Sequence, residues 1–336
     1  MIRISAWAAM EKGGCLKKFT YERELTSKEI LVDIKYCSLM RGDLRFIDNY
    51  WGDSIFPLVP GLEIIGIVKE TGSDVKNIKI GDFVGVGYQV GSCFKCEYCL
   101  SGKEQFCPSQ KLIPASDYGG LADFIIVDHR FAFIMPKNLR APSSVPLLCA
   151  GLTCYSAIKK AGVRQKMNVG VVGIGNLGHL AVQFLNKMEC SVTAFSHSKQ
   201  KEKPLKMLGA EKFVQTDDEA ELVRLERKYD FIISTSSASL NWELYLRALK
   251  PEGTLCFVGL PPDKISFKAE LLADYAQRKI MGSYVGSRKD MADMLAFASK
   301  YNIHAFVEEF PMKGVNMAIE KMRKNEILFS AVIVNC

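Results

Sequence analysis

Histidine is scarce in this chain, four residues in 336. His129, His179, His197 and His304 are read as surface or packing residues. Long apolar runs are missing too. None approaches the roughly 18 residues of a membrane-spanning helix, so no membrane partner is expected. The segment Met1 to Gly14 holds too short an apolar part for a signal peptide, and a cytoplasmic location is expected. Concentrated charge of one sign is absent as well. The formal net charge is +7, but the densest basic run, Lys199 to Lys206, is broken by Glu202 and Pro204. That argues against a nucleic-acid partner and leaves a small molecule. The sequence has no internal repeat and no low-complexity segment.

What is present points to two soluble domains. Apolar residues make up 48% of the chain, an ordinary value, and 336 residues favour two cores over one. Up to about Pro146 the short apolar runs Ile30–Tyr36, Glu63–Glu70, Phe83–Tyr88 and Ala122–Asp128 are separated by Gly, Pro and Asp turns. No long amphipathic helix interrupts them, which predicts a compact barrel-like domain. From Asn168 the strands Val169–Val172, Ser191–Phe195, Phe231–Ile233, Leu255–Val258 and Ile280–Val285 alternate with helical segments. Such alternation predicts a parallel, doubly wound sheet. Lys250-Pro251-Glu252-Gly253 reads as a helix stop followed by a turn, and Leu208-Gly209-Ala210 as another stop. A helix is predicted near Asp290–Lys300 and a last strand over Leu328–Val334. The fold class is therefore α/β, with domains at 1–147 plus 287–336 and at 148–286.

Gly173-Ile174-Gly175-Asn176-Leu177-Gly178 follows one predicted strand and opens a helix. The first glycine suits a tight turn, the second a close approach of backbone to a pyrophosphate, and the third the packing of helix on strand. The helix N-terminus then offers N–H groups and partial positive charge to phosphates. A glycine-rich turn with no ligand is the bland alternative. A cofactor lacking a 2′-phosphate is usually held by a carboxylate at the end of the second strand. Here that end reads Phe195-Ser196-His197-Ser198-Lys199-Gln200-Lys201, with hydroxyls and cations instead. Ser196, Ser198 and Lys201 therefore favour NADP(H) over NAD(H). The alternative is that Lys199 and Lys201 merely begin a solvated helix.

Eleven cysteines are many for a reducing compartment, and four fall at Cys93-x2-Cys96-x2-Cys99-x7-Cys107. Two short loops can bring four thiolates to the corners of a tetrahedron, so one structural zinc per chain is expected. A redox CxxC pair, or four unrelated thiols, are the alternatives.

In this order the motifs resemble the zinc-dependent medium-chain alcohol dehydrogenases. The matches include Pro60-Gly61-x-Glu63, Gly81-Asp82-x-Val84, Tyr118-Gly119-Gly120-x-Ala122, Cys149-Ala150-Gly151-x-Thr153 and Gly282-Ser283-Tyr284. Ser196-x-Ser198-x-x-Lys201 and Tyr50-Trp51-Gly52 are most similar to the cinnamyl-alcohol-dehydrogenase-like branch. The resemblance implies a GroES-like catalytic domain with a zinc lobe, a Rossmann domain, aldehyde–alcohol interconversion with NADP(H), and a homodimer. It also places Thr153, Thr235, Val258, Gly259 and Ser283 along the nicotinamide, although these could be packing residues. An arginine common in the family near the last strand is missing from Leu328-Phe329-Ser330-Ala331, which lowers the expected cofactor affinity.

The match fails at the family's catalytic zinc. Cys-Gly-x-Cys-His-Ser/Thr-Asp appears here as Cys37-Ser38-Leu39-Met40-Arg41-Gly42-Asp43, and Gly-His-Glu as Gly61-Leu62-Glu63. Leucine cannot ligate, and a neutral thioether is a poor partner for Zn²⁺ beside a thiolate. Cys149 and Glu63 remain where three ligands are usual, so the catalytic zinc is expected to be absent. A rescue through Cys37 would require a shift of the strand end. Arg41, Asp43, Glu63 and Cys149 are the candidate reaction-centre residues. Arg41 is expected to pair with Glu63 or Asp43, either as structural filling or as a stabiliser of an oxyanion. Phe46, Tyr50, Trp51 and Phe56 could form an apolar substrate wall or belong to the core.

Three functions fit these residues. The leading one is an NADPH-dependent reductase of an aldehyde or an already polarised enone, quinone or iminium, working without catalytic metal. The second is a zinc alcohol dehydrogenase with a rebuilt site. The third is an NADPH-binding protein without turnover.

Overall fold

Alternating buried and exposed residues set the first elements. In the computed structural model, which describes residues 1–273 and 275–335, β1 (Ile2–Ala9) and β2 (Leu16–Arg23) form an antiparallel hairpin. There follow β3 (Glu29–Leu39), β4 (Glu63–Thr71), β5 (Phe83–Val86), β6 (Gln89–Gly91), β7 (Lys111–Leu112), β8 (Phe124–Asp128) and β9 (Ala132–Ile134). The chain then enters a second unit with β10 (Asn168–Val172), β11 (Ser191–Ser196), β12 (Lys212–Gln215), β13 (Tyr229–Ser234), β14 (Leu249–Phe257) and β15 (Lys279–Gly282). It returns to the first unit through the helix Arg288–Tyr301, β16 (Val307–Pro311), the helix Val315–Arg323 and β17 (Ser330–Val334). The units comprise 1–149 with 287–336, and 150–286.

In the first unit, the order β16-β17-β3-β4-β5-β9, with β8 also against β3, makes a seven-stranded sheet of GroES-like type. Ile30, Val32 and Ile34 of β3 are fully buried in it. In the second unit all neighbours are parallel and run β12-β11-β10-β13-β14-β15. Counted from β10 this is the 3-2-1-4-5-6 order of a doubly wound dinucleotide-binding sheet. Its strand order reverses between β10 and β13, and ligands of such sheets bind beyond the carboxyl ends at that reversal.

Local chemistry explains several boundaries. Ser287 and Asp290 form a capping box at the start of the helix Arg288–Tyr301, and Asn302 ends it at φ +51°. Lys250–Gly253 differs from the turn expected there. The helix Trp242–Ala248 does stop, but the chain enters β14 directly. The pairing jumps from Tyr229 with Leu249 to Phe231 with Thr254, and Glu252 lies at φ +61°. The extra residues are absorbed as a bulge, while the Lys250 ammonium is held by Asp230 at 2.8 Å. The strand expected to reach Val285 ends at Gly282, and Ser283 N–H still bonds Phe257 at 3.0 Å.

Candidate functional site

The glycine loop leaves β10 at the sheet's reversal. Gly173 lies at φ +82°, and a Cβ there would stand 2.8 Å from Ser236. A Cβ on Gly178 would stand 2.2 Å from the Gly173 carbonyl, so only glycine lets the helix Gly178–Lys187 begin this close to the strand. At Gly175 nothing lies within 4 Å of that position, which leaves room for a ligand's phosphates. Asn176 and Leu177, both half-buried, complete the loop.

Side chains from three elements reach this loop. Thr235, just beyond β13, donates its hydroxyl to the Gly173 carbonyl at 2.5 Å. Lys201, beyond β11, donates to the Ile174 carbonyl at 2.5 Å. His179, in the first turn of the helix, bonds the Gly175 carbonyl through Nδ1 at 2.9 Å. His179 is fully buried, and burial pushes its pKa down to about 4, so the ring is neutral and Nδ1 carries the donated proton. The sequence assigns His179 to surface or packing, and its place directly after the third glycine is the signal of a role at the loop. Ser196 is buried and its hydroxyl accepts the Ser198 N–H at 3.2 Å, whereas His197 is exposed. Val258 and Gly259 both donate their N–H to Ser234 O at 2.9 Å. Thr153 and Ser283 are half-buried, and Ser283 donates its hydroxyl to Tyr284 O at 3.2 Å.

In the first unit, β3 runs into the helix Arg41–Ile47 and brings the second group together. Asp43 has no exposure and accepts N–H bonds from Met40 at 2.9 Å and Gly61 at 2.7 Å. Burial outweighs these bonds and raises its pKa to about 7. Glu63 is equally buried and accepts the Ser38 hydroxyl and the Cys149 N–H, the latter at 2.9 Å. The Cys37 thiol is buried beside both acids, and burial, Asp43 and Glu63 push its pKa up.

The expected pairing of Arg41 is corrected here. Arg41 is exposed at the first position of its helix and donates to Asn325 Oδ1, not to Glu63 or Asp43. The physical reason is that backbone N–H groups and a hydroxyl already hold the two acids, while burying a guanidinium would cost its hydration. Apolar groups crowd Gly42, which precedes Asp43 in the chain. Leu62 is 3% exposed, and its Cδ1 lies 2.9 Å from where a Cβ on residue 42 would stand. The Met40 sulfur lies 3.8 Å from the same point. Of the proposed aromatic wall, Phe46 is buried, Phe56 is half-buried, and Tyr50 and Trp51 are exposed beneath the Arg45 guanidinium.

Cys93, Cys96, Cys99 and Cys107 bring their sulfurs within 4.8 Å of one another. The Cys96 N–H reaches Cys93 Sγ at 3.3 Å, and backbone N–H groups of Lys95 and Cys96 pull the Cys93 thiol down to about 6. Four convergent thiols with amide donors on sulfur fit a tetrahedral zinc. Among the described residues no other group of three or more His, Cys, Asp or Glu side chains converges this way. The lobe is tied down through Phe94, whose ring lies 3.5 Å from the Arg130 guanidinium and 5.3 Å from that of Arg288.

Comparison with known proteins agrees with this architecture. Residues 26–137 match the family model for the alcohol dehydrogenase GroES-like domain, and residues 176–300 that for zinc-binding dehydrogenases. An aldehyde reductase of Synechocystis is 35% identical over 98% of each chain. The structure of a cinnamyl alcohol dehydrogenase from Sorghum bicolor superposes with a TM-score of 0.95, at 34% identity over 99% of this chain and 98% of that one. The chain belongs to the zinc-type medium-chain alcohol dehydrogenases, in the cinnamyl-alcohol-dehydrogenase-like branch. It is thus an alcohol dehydrogenase-like oxidoreductase. A Helicobacter pylori member of the branch, solved with NADP(H), is 30% identical over 99% of this chain and 98% of that one, with a TM-score of 0.92. Among the described residues no helix is long and apolar enough to cross a membrane.

Proposed function

We propose that the protein is an NADPH-dependent reductase of aldehydes or of activated acceptors such as enones, quinones and iminium ions, and that it works without a catalytic zinc. The observation that carries this reading is the apolar contact at Gly42. Leu62 Cδ1 stands 2.9 Å from the position a side chain at 42 would need. By the motif resemblance Met40 and Leu62 stand at ligand positions of the family, with groups that bind Zn²⁺ poorly or not at all. Glu63 is held by Ser38 and Cys149 N–H, and the residues present do not fit a three-ligand metal site. A simple carbonyl leans on a metal for its developing alkoxide, whereas an enone or quinone spreads that charge and an iminium cancels it.

The cofactor, when bound, supplies the hydride. This chain's part is to seat it: Gly173, Gly175 and Gly178 shape the phosphate site, with Asn176 and Leu177 between them. Ser196, Ser198 and Lys201 bring two hydroxyls and a cation to the strand end, the chemistry of a 2′-phosphate site. Thr153, Val258, Gly259 and Ser283 line the nicotinamide. In the first unit Asp43 keeps Gly61 and the helix start in register, Cys149 and Glu63 hold each other, and Arg41 stays with Asn325 at the surface. Cys93, Cys96, Cys99 and Cys107 hold one structural zinc. A reducing cytoplasm suits described cysteines of which none is in a disulfide. β15, one edge of the parallel sheet, is a surface for pairing with a second copy, and light scattering should give a dimer.

Metal analysis and turnover test the central reading together. We expect one zinc per chain, and NADPH oxidation with enones, quinones or aldehydes that survives prolonged treatment with a chelator. Two zincs with chelator-sensitive aldehyde reduction would overturn it. Tight NADPH binding without turnover on any of these acceptors would instead mark a binding protein.

A further inference from the structure

We propose that Thr235, Lys201 and His179 are positioning residues that hold three successive carbonyls of the glycine loop and thereby turn its N–H groups toward the cofactor's phosphates. The inference rests on the loop being the dinucleotide site. The carbonyls of Gly173, Ile174 and Gly175 each accept from one of these side chains, at 2.5, 2.5 and 2.9 Å. In a trans peptide the carbonyl and the N–H of the same unit point in opposite directions. Holding these three carbonyls therefore directs the N–H groups of Ile174, Gly175 and Asn176 to the other side. A run of backbone N–H groups is what an anion site needs, but an untethered glycine-rich loop samples many arrangements. The three donors arrive from separate places: beyond β13, beyond β11, and from the helix Gly178–Lys187. The loop is thus fastened to both neighbours of β10 and to the helix that follows. His179 is suited to this because burial keeps its ring neutral, so it brings a donor without a buried charge.

Equilibrium titration of the full chain with NADPH and with NADH tests the proposal. Thr235→Val and His179→Leu should each weaken both nucleotides by a common factor, about five- to tenfold for one lost hydrogen bond. The ratio of the two affinities should stay as in wild type. Thr235→Ser keeps the hydroxyl, and His179→Asn keeps an amide N–H near the place of Nδ1; both should bind within about twofold of wild type. Lys201→Met should weaken NADH as well as NADPH, and NADPH more. Wild-type affinity in Thr235→Val and His179→Leu would overturn the proposal, as would conservative variants as weak as the others. A Lys201→Met loss confined to NADPH would remove lysine from the set and overturn the three-carbonyl form. Should His179→Leu fail to fold, the half-buried Thr235 pair decides alone. A wild type that binds neither nucleotide would overturn the loop reading itself, which separates that failure from this one.

Discussion

Two carboxyl groups with no exposure stand within one strand end and one loop of each other, and they are kept in different ways. Asp43 is held by backbone donors, Glu63 by a hydroxyl and an N–H. Asp43 has a folded pKa of about 7 against an ordinary value of 3.8, so the native state binds its proton more tightly than the unfolded chain does. Its stabilisation is complete below pH 3.8 and is lost as pH rises through 7. Urea midpoints should therefore fall over that range, and Asp43→Asn should remove that part of the slope. The same change places an NH2 donor against a backbone N–H and should destabilise by about 1–3 kcal/mol at acid pH, a deficit that shrinks as pH rises through 7. At Gly42 the forecast concerns volume. Gly42→Ser brings a Cβ to 2.9 Å from Leu62 Cδ1 and should cost about 1–3 kcal/mol of stability. Leu62→Ala empties part of a buried site and costs stability of its own, so the double variant with Gly42→Ser should lose less than the sum of the two single losses, and strictly additive losses would show that the two residues do not compete for space.

At the scale of elements, the strand-loop-helix unit from β10 to Lys187 separates two roles for glycine. Gly178→Ala would force its Cβ to 2.2 Å from the Gly173 carbonyl. It should lower the melting temperature and nucleotide affinity together. Gly175→Ala meets nothing within 4 Å in the protein, so the melting temperature should stay near wild type. NADPH affinity should nevertheless fall by about tenfold or more, because the methyl enters the ligand's space. Equal thermal losses in both variants would refute the division of roles.

At the scale of the whole molecule, the four convergent thiols are where the proposed zinc would hold the first unit. Cys96→Ser should reduce zinc to below one equivalent and lower the unfolding temperature, since a structural zinc contributes folding free energy directly. A zinc-free protein with unchanged melting would remove the metal from the account. NADPH should raise the melting temperature more than NADH at equal concentration, by a margin that follows the logarithm of the ratio of their affinities.

The sequence by itself determined the elements whose signal is local. The glycine spacing, the cysteine spacing and the alternation of strands and helices after Asn168 are readable because turn conformation, ligand geometry and side-chain period depend on neighbouring residues. The expectation that Met40 and Leu62 stand where the family has zinc ligands rests on residue identity in the same way. Only the tertiary structure decided which groups meet. Arg41 faces Asn325, 284 positions away, and Glu63 bonds Cys149, 86 positions away; no local pattern encodes either contact. The bulge at Lys250–Gly253 follows from the register of β13 with β14, and the neutral buried state of His179 follows from what packs over it. Desolvation and long-range partner choice arise from the completed fold, and with them the protonation of Asp43 and His179 and the fastening of the glycine loop.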